Sequence, residues 1–316
     1  MTNSILQDFI TLTKTGLYCR YGNFYLDPQE PVVDAVISHA HGDHAVSGNE
    51  NVYCTKATQL FMQHRYKKFA AANFEIKAYQ ETFAINGVKL SFYPAGHILG
   101  SAMILMEYQN VRYLYTGDYK VEADHTCEPI EFIKADVLIT ETTFADPEVK
   151  HPYAEEEIKK LNTVTSNIML GAYALGKSQR LISLISKYCP DKKILVHHNI
   201  MPFVNIYEQQ GVSLGSYQIY DRKIMKQQLE GNIYLVPPMV FNSYIRAINV
   251  VRVFATGWKY LQQGNGLHLY ISDHVDWEGI IKTIAEVQPK EIWTLHGDGK
   301  QLQAHFKDQL VVKILN

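Results

Sequence analysis

The sequence has few cysteines and no CxxC pair: Cys19, Cys54, Cys127 and Cys189 lie scattered through 316 residues. That argues against a disulfide framework and predicts reduced, mostly buried thiols of a cytoplasmic protein. A charge of one sign is also lacking. The net charge is -2 and the pI about 6.7, which rules out a strongly basic protein that coats nucleic acid; any polyanion site must be local. No uninterrupted apolar run is long enough to span a bilayer, so no membrane partner is expected. The opening "MTNSILQDFITLTKTG" has no basic stretch followed by a long apolar core, and no secretory signal is expected. Repeats and low-complexity linkers are absent. What remains is an ordinary globular composition, 47% hydrophobic and 20% charged, in a chain long enough for one large domain or two modest ones.

The first ~145 residues read mainly as strands and turns. "VVDAVIS" (32–38), "VKLSFYP" (88–94) and "ADVLITETT" (135–143) are near-continuous apolar runs, as expected of strands buried on both faces. "SAMILMEY" and "VRYLYTGD" flank Gln109-Asn110 and predict a hairpin. Helical spacing then appears in "AEEEIKKLNTV" and "GKSQRLISLISKY", with strands "KKILVHH" and "NIYLVPP" between and after them. Beyond residue 250 come "VRVFATG", "LHLYISDH" and "EIWTLHG", with "DWEGIIKTIAEVQ" as a helix capped by Asp276. The order suggests one αβ domain interrupted by an α/β insertion.

Histidines and acids punctuate this pattern. "VISHAHGDH", "FYPAGHILG", "YLYTGD", "YISDH" and "WTLHGDG" each put a histidine or aspartate directly after an apolar strand, with glycine close by in most. Loops after rigid strands are where sites are built, and several such loops can converge on one edge of a sheet. The densest is "HAHGDH", which places His39, His41, Asp43 and His44 within six positions. His39 and His41 are two apart and face the same side of an extended backbone. One ion cannot take all four side chains from so short a loop, but two neighbouring ions can. Nitrogen and carboxylate donors at ~2.0–2.2 Å suit zinc, and paired ions sit ~3.5–4 Å apart. His97, Asp118 and His296 are candidates to complete the set.

HxHxDH at 39–44, His97 in "GHILGS" and Asp118 in "TGD" resemble the metallo-β-lactamase superfamily. Glu141 in "ITETTFA", His274 in "SDHVDW" and His296 in "TLHGD" look like motifs A, B and C of its β-CASP nucleases. Within the insertion, "GAYALGKSQRLISL" resembles their ALGxxQ segment, and the likeness covers essentially the whole chain. "YCTKAT", "PAGHILGSA", "TGDYK", "TCEP" and "LGAYALGKSQR" look most like the bacterial ligase-associated DNA exonucleases. The resemblance implies an α/β fold, a metallo-β-lactamase αβ/βα four-layer sandwich with a short inserted α/β β-CASP domain. The expected boundaries are 1–148 for the first part, 149–250 for the insertion and 251–316 for the return.

The same resemblance implies a ligand set. His39, His41 and His97 would hold one Zn2+, Asp43, His44 and His296 the other, and Asp118 would bridge. His41 stands where di-iron members usually carry Glu, which favours zinc, with Mn2+ or Fe as alternatives. The ions would lower the pKa of a shared water toward ~7. Asp43, Glu141 and His274 are the catalytic candidates, with Glu141 orienting the His274 imidazole. Gly176, Lys177, Ser178, Arg180 and Ser272 are candidates for a substrate phosphate.

The function so implied is a zinc-dependent DNA exonuclease acting on ends, single strands preferred, in a repair pathway whose ligase and helicase would be partners. A histidine at motif C is shared with the RNA-cleaving branch, so RNA processing is the alternative. A glyoxalase-type hydrolase shares HxHxDH but would not need "ETT", "SDHVDW" or "LGKSQR". A decayed, non-catalytic subunit is disfavoured by seven intact candidate ligands.

Overall fold

The computed structural model describes residues 4–221, 223, 230–243 and 250–315. The chain forms two compact units. The first comprises Met1–Ala123, Cys127–Lys150 and His274–Asn316; the second comprises Asp124–Thr126 and His151–Asp273.

The first unit holds two mixed sheets. One runs in sequential order through β1 (Ile10–Thr13), β2 (Gly16–Cys19), β3 (Phe24–Leu26), β4 (Asp34–Val36), β5 (Asn49–Cys54) and β6 (Ala71–Ile76). The other is built from β7 (Thr82–Ile85), β8 (Val88–Pro94), β9 (Ala102–Tyr108), β10 (Val111–Tyr115) and β11 (Val137–Glu141), and then β18 (Glu291–Leu295) and β19 (Val311–Ile314). β9 and β10 form the expected hairpin, with Gln109 and Asn110 both at positive φ (48° and 60°), as a tight two-residue turn demands. β11 is buried along its whole length between β10 and β18, both parallel to it. That burial is why its sequence does not alternate.

Apolar clusters join these layers. Ile10, Leu26 and Val36 of the first sheet share one core with Leu90, Ile104, Tyr113 and Trp293 of the second. The outer face of the second sheet packs on helix α6 (Trp277–Val287) through Ile280, Ile284 and Val287, and on α7 (Lys300–His305) through Leu302. Asp276 caps α6 as expected, accepting from the Gly279 amide at 3.0 Å. The first sheet's outer face meets Met62 of α1 (Lys56–Tyr66).

The second unit is built on one parallel sheet. Its strands are β12 (Asn167–Gly171), β13 (Lys193–Val196), β14 (Gln218–Ile219), β15 (Asn232–Val236), β16 (Val250–Ala255) and β17 (Leu267–Leu269). Their order across the sheet is β14-β13-β15-β12-β16-β17. The helices α2 (Ala154–Lys159), α3 (Lys177–Tyr188), α4 (Met201–Gln209) and α5 (Pro238–Ser243) belong to this unit. "VRVFATG" and "LHLYISDH" therefore complete the second unit's sheet instead of starting the return: β16 pairs with β12, and β17 with β16. The return begins at His274 and not at residue 251.

Candidate metal centre and active site

Loops leaving the ends of β4, β8, β10 and β11 carry the chemistry. Two of their glycines are sterically required. Gly117 has φ +55°, and a Cβ there would lie 2.6 Å from Ser38 Oγ. Gly96 has φ +73°, and its Cβ would lie 2.4 Å from the Lys120 carbonyl oxygen. Any side chain would push apart the segments that carry His39, His97 and Asp118.

The structure brings His39, His41, His97 and Asp118 together, with one possible ligand atom from each inside a 4.8 Å span. His41 Nδ1 lies 3.1 Å from His39 Nε2 and 3.0 Å from His97 Nε2. Asp118 Oδ2 lies 3.7 Å from His39 Nε2 and 3.9 Å from His97 Nε2. The three rings stand nearly perpendicular, at 83–87°. A tetrahedral ion with ~2.0–2.1 Å bonds separates neighbouring donors by roughly 3.3 Å, so the residues fit a cation at their centre. Asp118 also reaches His44 Nε2 at 3.3 Å, and Asp43 lies 4.0 Å from that nitrogen with its side chain largely exposed. His296, exposed and at φ 53°, sets its ring 5.4 Å from that of His44. Of the second expected ligand group, His44 reaches Asp118, while Asp43 and His296 are placed beside His44.

Electrostatics follow the packing. Burial, reinforced by the neighbouring His44 and His97, holds His39 well below the usual histidine range. It is therefore neutral and able to donate a lone pair. Burial also works against charge on His44, but Asp118 and Asp27 outweigh it and raise His44 well above its ordinary value. Burial would raise Asp118, yet His44 and His274 hold it well below the carboxylate range.

Asp27, a residue the sequence reading did not single out, sets the ring tautomers. Its Oδ1 accepts from the Ser38 amide at 2.7 Å. Its Oδ2 accepts from Ser38 Oγ at 2.5 Å, His44 Nδ1 at 2.8 Å and Tyr115 OH at 2.9 Å. With the Ser38 hydroxyl committed to Asp27, the 3.0 Å contact between Ser38 Oγ and His39 Nδ1 must be donated by the ring. Both histidines therefore carry a proton on Nδ1, which leaves Nε2 as the ligating atom: a lone pair on neutral His39, and on His44, held in its charged form by Asp118 and Asp27, one exposed once an ion displaces the Nε2 proton. "FYLDP" was the available signal: like "YLYTGD", it is an aspartate directly after a strand.

Glu141 is fully buried at the end of β11. It accepts from His274 Nδ1 at 2.9 Å, from Thr143 Oγ1 at 2.7 Å and from the Tyr119 amide at 3.1 Å. His274, about a third exposed, lies 3.8 Å from Asp118 and 5.2 Å ring to ring from His97. The pair therefore adjoins the metal cluster, and Asp118, Glu141 and His274 form a second group within 4.8 Å.

The second unit's candidates are placed differently. Gly176 (φ 84°) precedes α3, and Ser178 and Gln179 fold back onto Tyr173 and Ala174. Lys177 and Arg180 are 4% and 2% exposed. Lys177 Nζ donates to the Ile271 carbonyl and lies 3.3 Å from Asp273. Arg180 donates to the Ser272 carbonyl at 2.7 Å and lies 3.3 Å from Asp273 and 3.4 Å from Asp124. These cations are engaged by carboxylates and carbonyls, which argues against an open phosphate grip at 176–180 and Ser272.

No family model matches the chain. Individual relatives do. A probable DNA ligase from Opitutus terrae is 29% identical over 301 residues, 89% of this chain and 28% of its own length. An RNase J-like protein from Methanocaldococcus jannaschii is 31% identical over 194 residues, 52% of this chain and 46% of its own. The endoribonuclease ysh1 of Aspergillus fumigatus is 34% identical over 140 residues, 42% of this chain and 16% of its own. The chain thus spans between a sixth and a half of these relatives. The chain is thus similar to nucleases of the β-CASP branch of the metallo-β-lactamase superfamily. This likeness and the donor set above together imply divalent-metal binding. The fold is shared with a protein of unknown function from Enterococcus faecalis at a TM-score of 0.61, covering 92% of this chain and 80% of that one at 13% identity. Among the described residues, no helix is long and apolar enough to cross a membrane.

Proposed function

We propose that this chain is a β-CASP-type, metal-dependent phosphodiesterase that removes nucleotides from the ends of single-stranded DNA. The observation that carries the reading is the Glu141–His274 pair adjoining the His39/His41/His97/Asp118 cluster. A glyoxalase-type hydrolase has no use for that pair. The likeness of 89% of the chain to a probable DNA ligase supports DNA and a ligase-associated role. A repair helicase would be a further partner. In this reading the first unit is the αβ/βα four-layer sandwich and the second is the inserted β-CASP domain.

His39, His41 and His97 would hold one Zn2+, Asp43, His44 and His296 a second, and Asp118 would touch both. Bound ions of this kind supply a nucleophile at neutral pH and offset charge that builds on the phosphate. His274, its Nδ1 proton held by Glu141, faces the phosphate with its other nitrogen. There it stabilises the transition state or hands a proton to the leaving oxygen. Glu141 keeps the ring oriented.

RNA is the second reading, supported by the 31–34% identities to an RNase J-like protein and an endoribonuclease. A panel of end-labelled linear DNA, covalently closed single-stranded circles and RNA of matched sequence decides. Linear DNA should be degraded, with 5' polarity, and circles should survive. Rapid cutting of circles would mean an endonuclease, and strong preference for RNA would favour the second reading.

A further inference from the structure

Residues 231–272 contain no aspartate or glutamate, although the whole chain has 32 acids in 316 residues. At that frequency about four would be expected, so this stretch sets no negative charge of its own against a polyanion. The same stretch carries Arg246, Arg252 and Lys259; Arg246 lies outside the described residues.

This segment also supplies most of an exposed apolar edge. After β16 the chain enters a short turn, Lys259–Gln262, held from inside by one residue. Gln262 is 1% exposed, and its Nε2 donates to the carbonyls of Phe254 (3.0 Å) and Leu269 (2.8 Å). The Trp258 amide donates to Thr256 Oγ1 and the Leu261 amide to the Trp258 carbonyl. On this stitched frame the side chains of Trp258, Tyr260 and Leu261 are 39%, 61% and 38% exposed, with Lys259 exposed between the two rings. The rings stand 5.6 Å apart, centroid to centroid.

The neighbouring strands continue the pattern. β12 lies beside β16, and Tyr173, two residues past its end, is 56% exposed. β15 lies on the other side of β12, and Met239, three residues past its end, is 84% exposed. Single exposed apolar side chains are ordinary. Here they follow the carboxyl ends of three adjacent parallel strands, about 4.8 Å apart, and that edge of an open parallel sheet is where ligands bind.

We infer that this edge is a stacking platform for the bases of a single nucleic-acid strand, with Trp258, Tyr260 and Tyr173 offering ring faces and Lys259 a phosphate contact. Flat aromatic faces, an interposed cation and no carboxylate match a chain of flat bases on a polyanionic backbone. A duplex would not serve, because its base faces are already stacked. The inference rests on the nucleic-acid reading proposed above and names the surface on which the strand lies.

The test measures binding of a fluorescein-labelled, nuclease-resistant phosphorothioate oligothymidylate to the full chain, together with tryptophan fluorescence. Binding should quench the emission, and the quenched component should vanish in Trp258→Ala. The double change Trp258→Ala/Tyr260→Ala should weaken binding on the order of tenfold or more, while Trp258→Phe keeps most of the affinity. Lys259→Ala should lower the salt dependence by about one released ion. Hydrolysis of bis(p-nitrophenyl) phosphate, which has no bases, should be unchanged in all of them. Unaltered binding by the double variant overturns the inference. So does a double variant that changes self-association but not strand binding, because the edge would then be a contact between copies. If the wild-type chain binds and is quenched but hydrolyses no phosphodiester, the platform stands and the nuclease reading fails.

Discussion

The two units bury polar groups near strand ends in opposite ways. In the first, three imidazoles and a carboxylate crowd donor atoms within 4.8 Å of one another. Three imidazole nitrogens and a carboxylate oxygen converge there, a donor set that fits a cation. In the second, Lys177 and Arg180 meet Asp273 and Asp124, so the charges neutralise one another. A cluster that satisfies itself holds a structure together, whereas one that needs an ion is built to receive it. Burial and charge alone do not separate the two; the sign of the facing atoms does.

The comparison is most exposed to change at Asp118. Asp118→Ala removes the oxygen that lies within 4 Å of His39, His44 and His97. Elemental analysis should show loss of metal, and turnover should fall to background. His274→Ala comes next. It should keep its metals and lose about 10²–10⁴-fold in rate, measured in single-turnover assays; a variant without metal would mean that His274 is itself a ligand. Arg180→Ala tests the second unit. Breaking a buried pair costs about 3–5 kcal/mol, so denaturant unfolding should show that loss while metal content stays intact. Unchanged stability with weakened substrate binding would return Arg180 to the phosphate. The smallest effect is expected for Asp27→Asn, which keeps the shape but no longer accepts four hydrogen bonds as a carboxylate. Metal affinity should drop about 10–100-fold, measured by competition with a chelating dye.

Much of this was legible in the sequence because the signals were local. "HAHGDH", "GHILG" and "TGD" announced a metal cluster through spacing and strand-end position. The hairpin at Gln109-Asn110 and the Asp276 cap were equally local. What escaped was set by distant pairing. "VRVFATG" looks the same whether it opens a return or extends a sheet, and only its pairing with β12 assigns it. Lys177 and Arg180 read as candidates for a substrate phosphate because Asp273, Ile271 and Ser272, which engage them, lie more than 90 residues away. Asp27 was missed for a similar reason: its link to His44 exists only once β3 and β4 pair.

Exposure of an end-labelled single strand to chelator-stripped protein, with and without added zinc, tests the central claim most directly. The account predicts no degradation by the stripped protein, recovery when zinc returns, and no recovery in Asp118→Ala under the same conditions. Degradation that persists without metal, or that Asp118→Ala carries out as well as the unaltered chain, would contradict it.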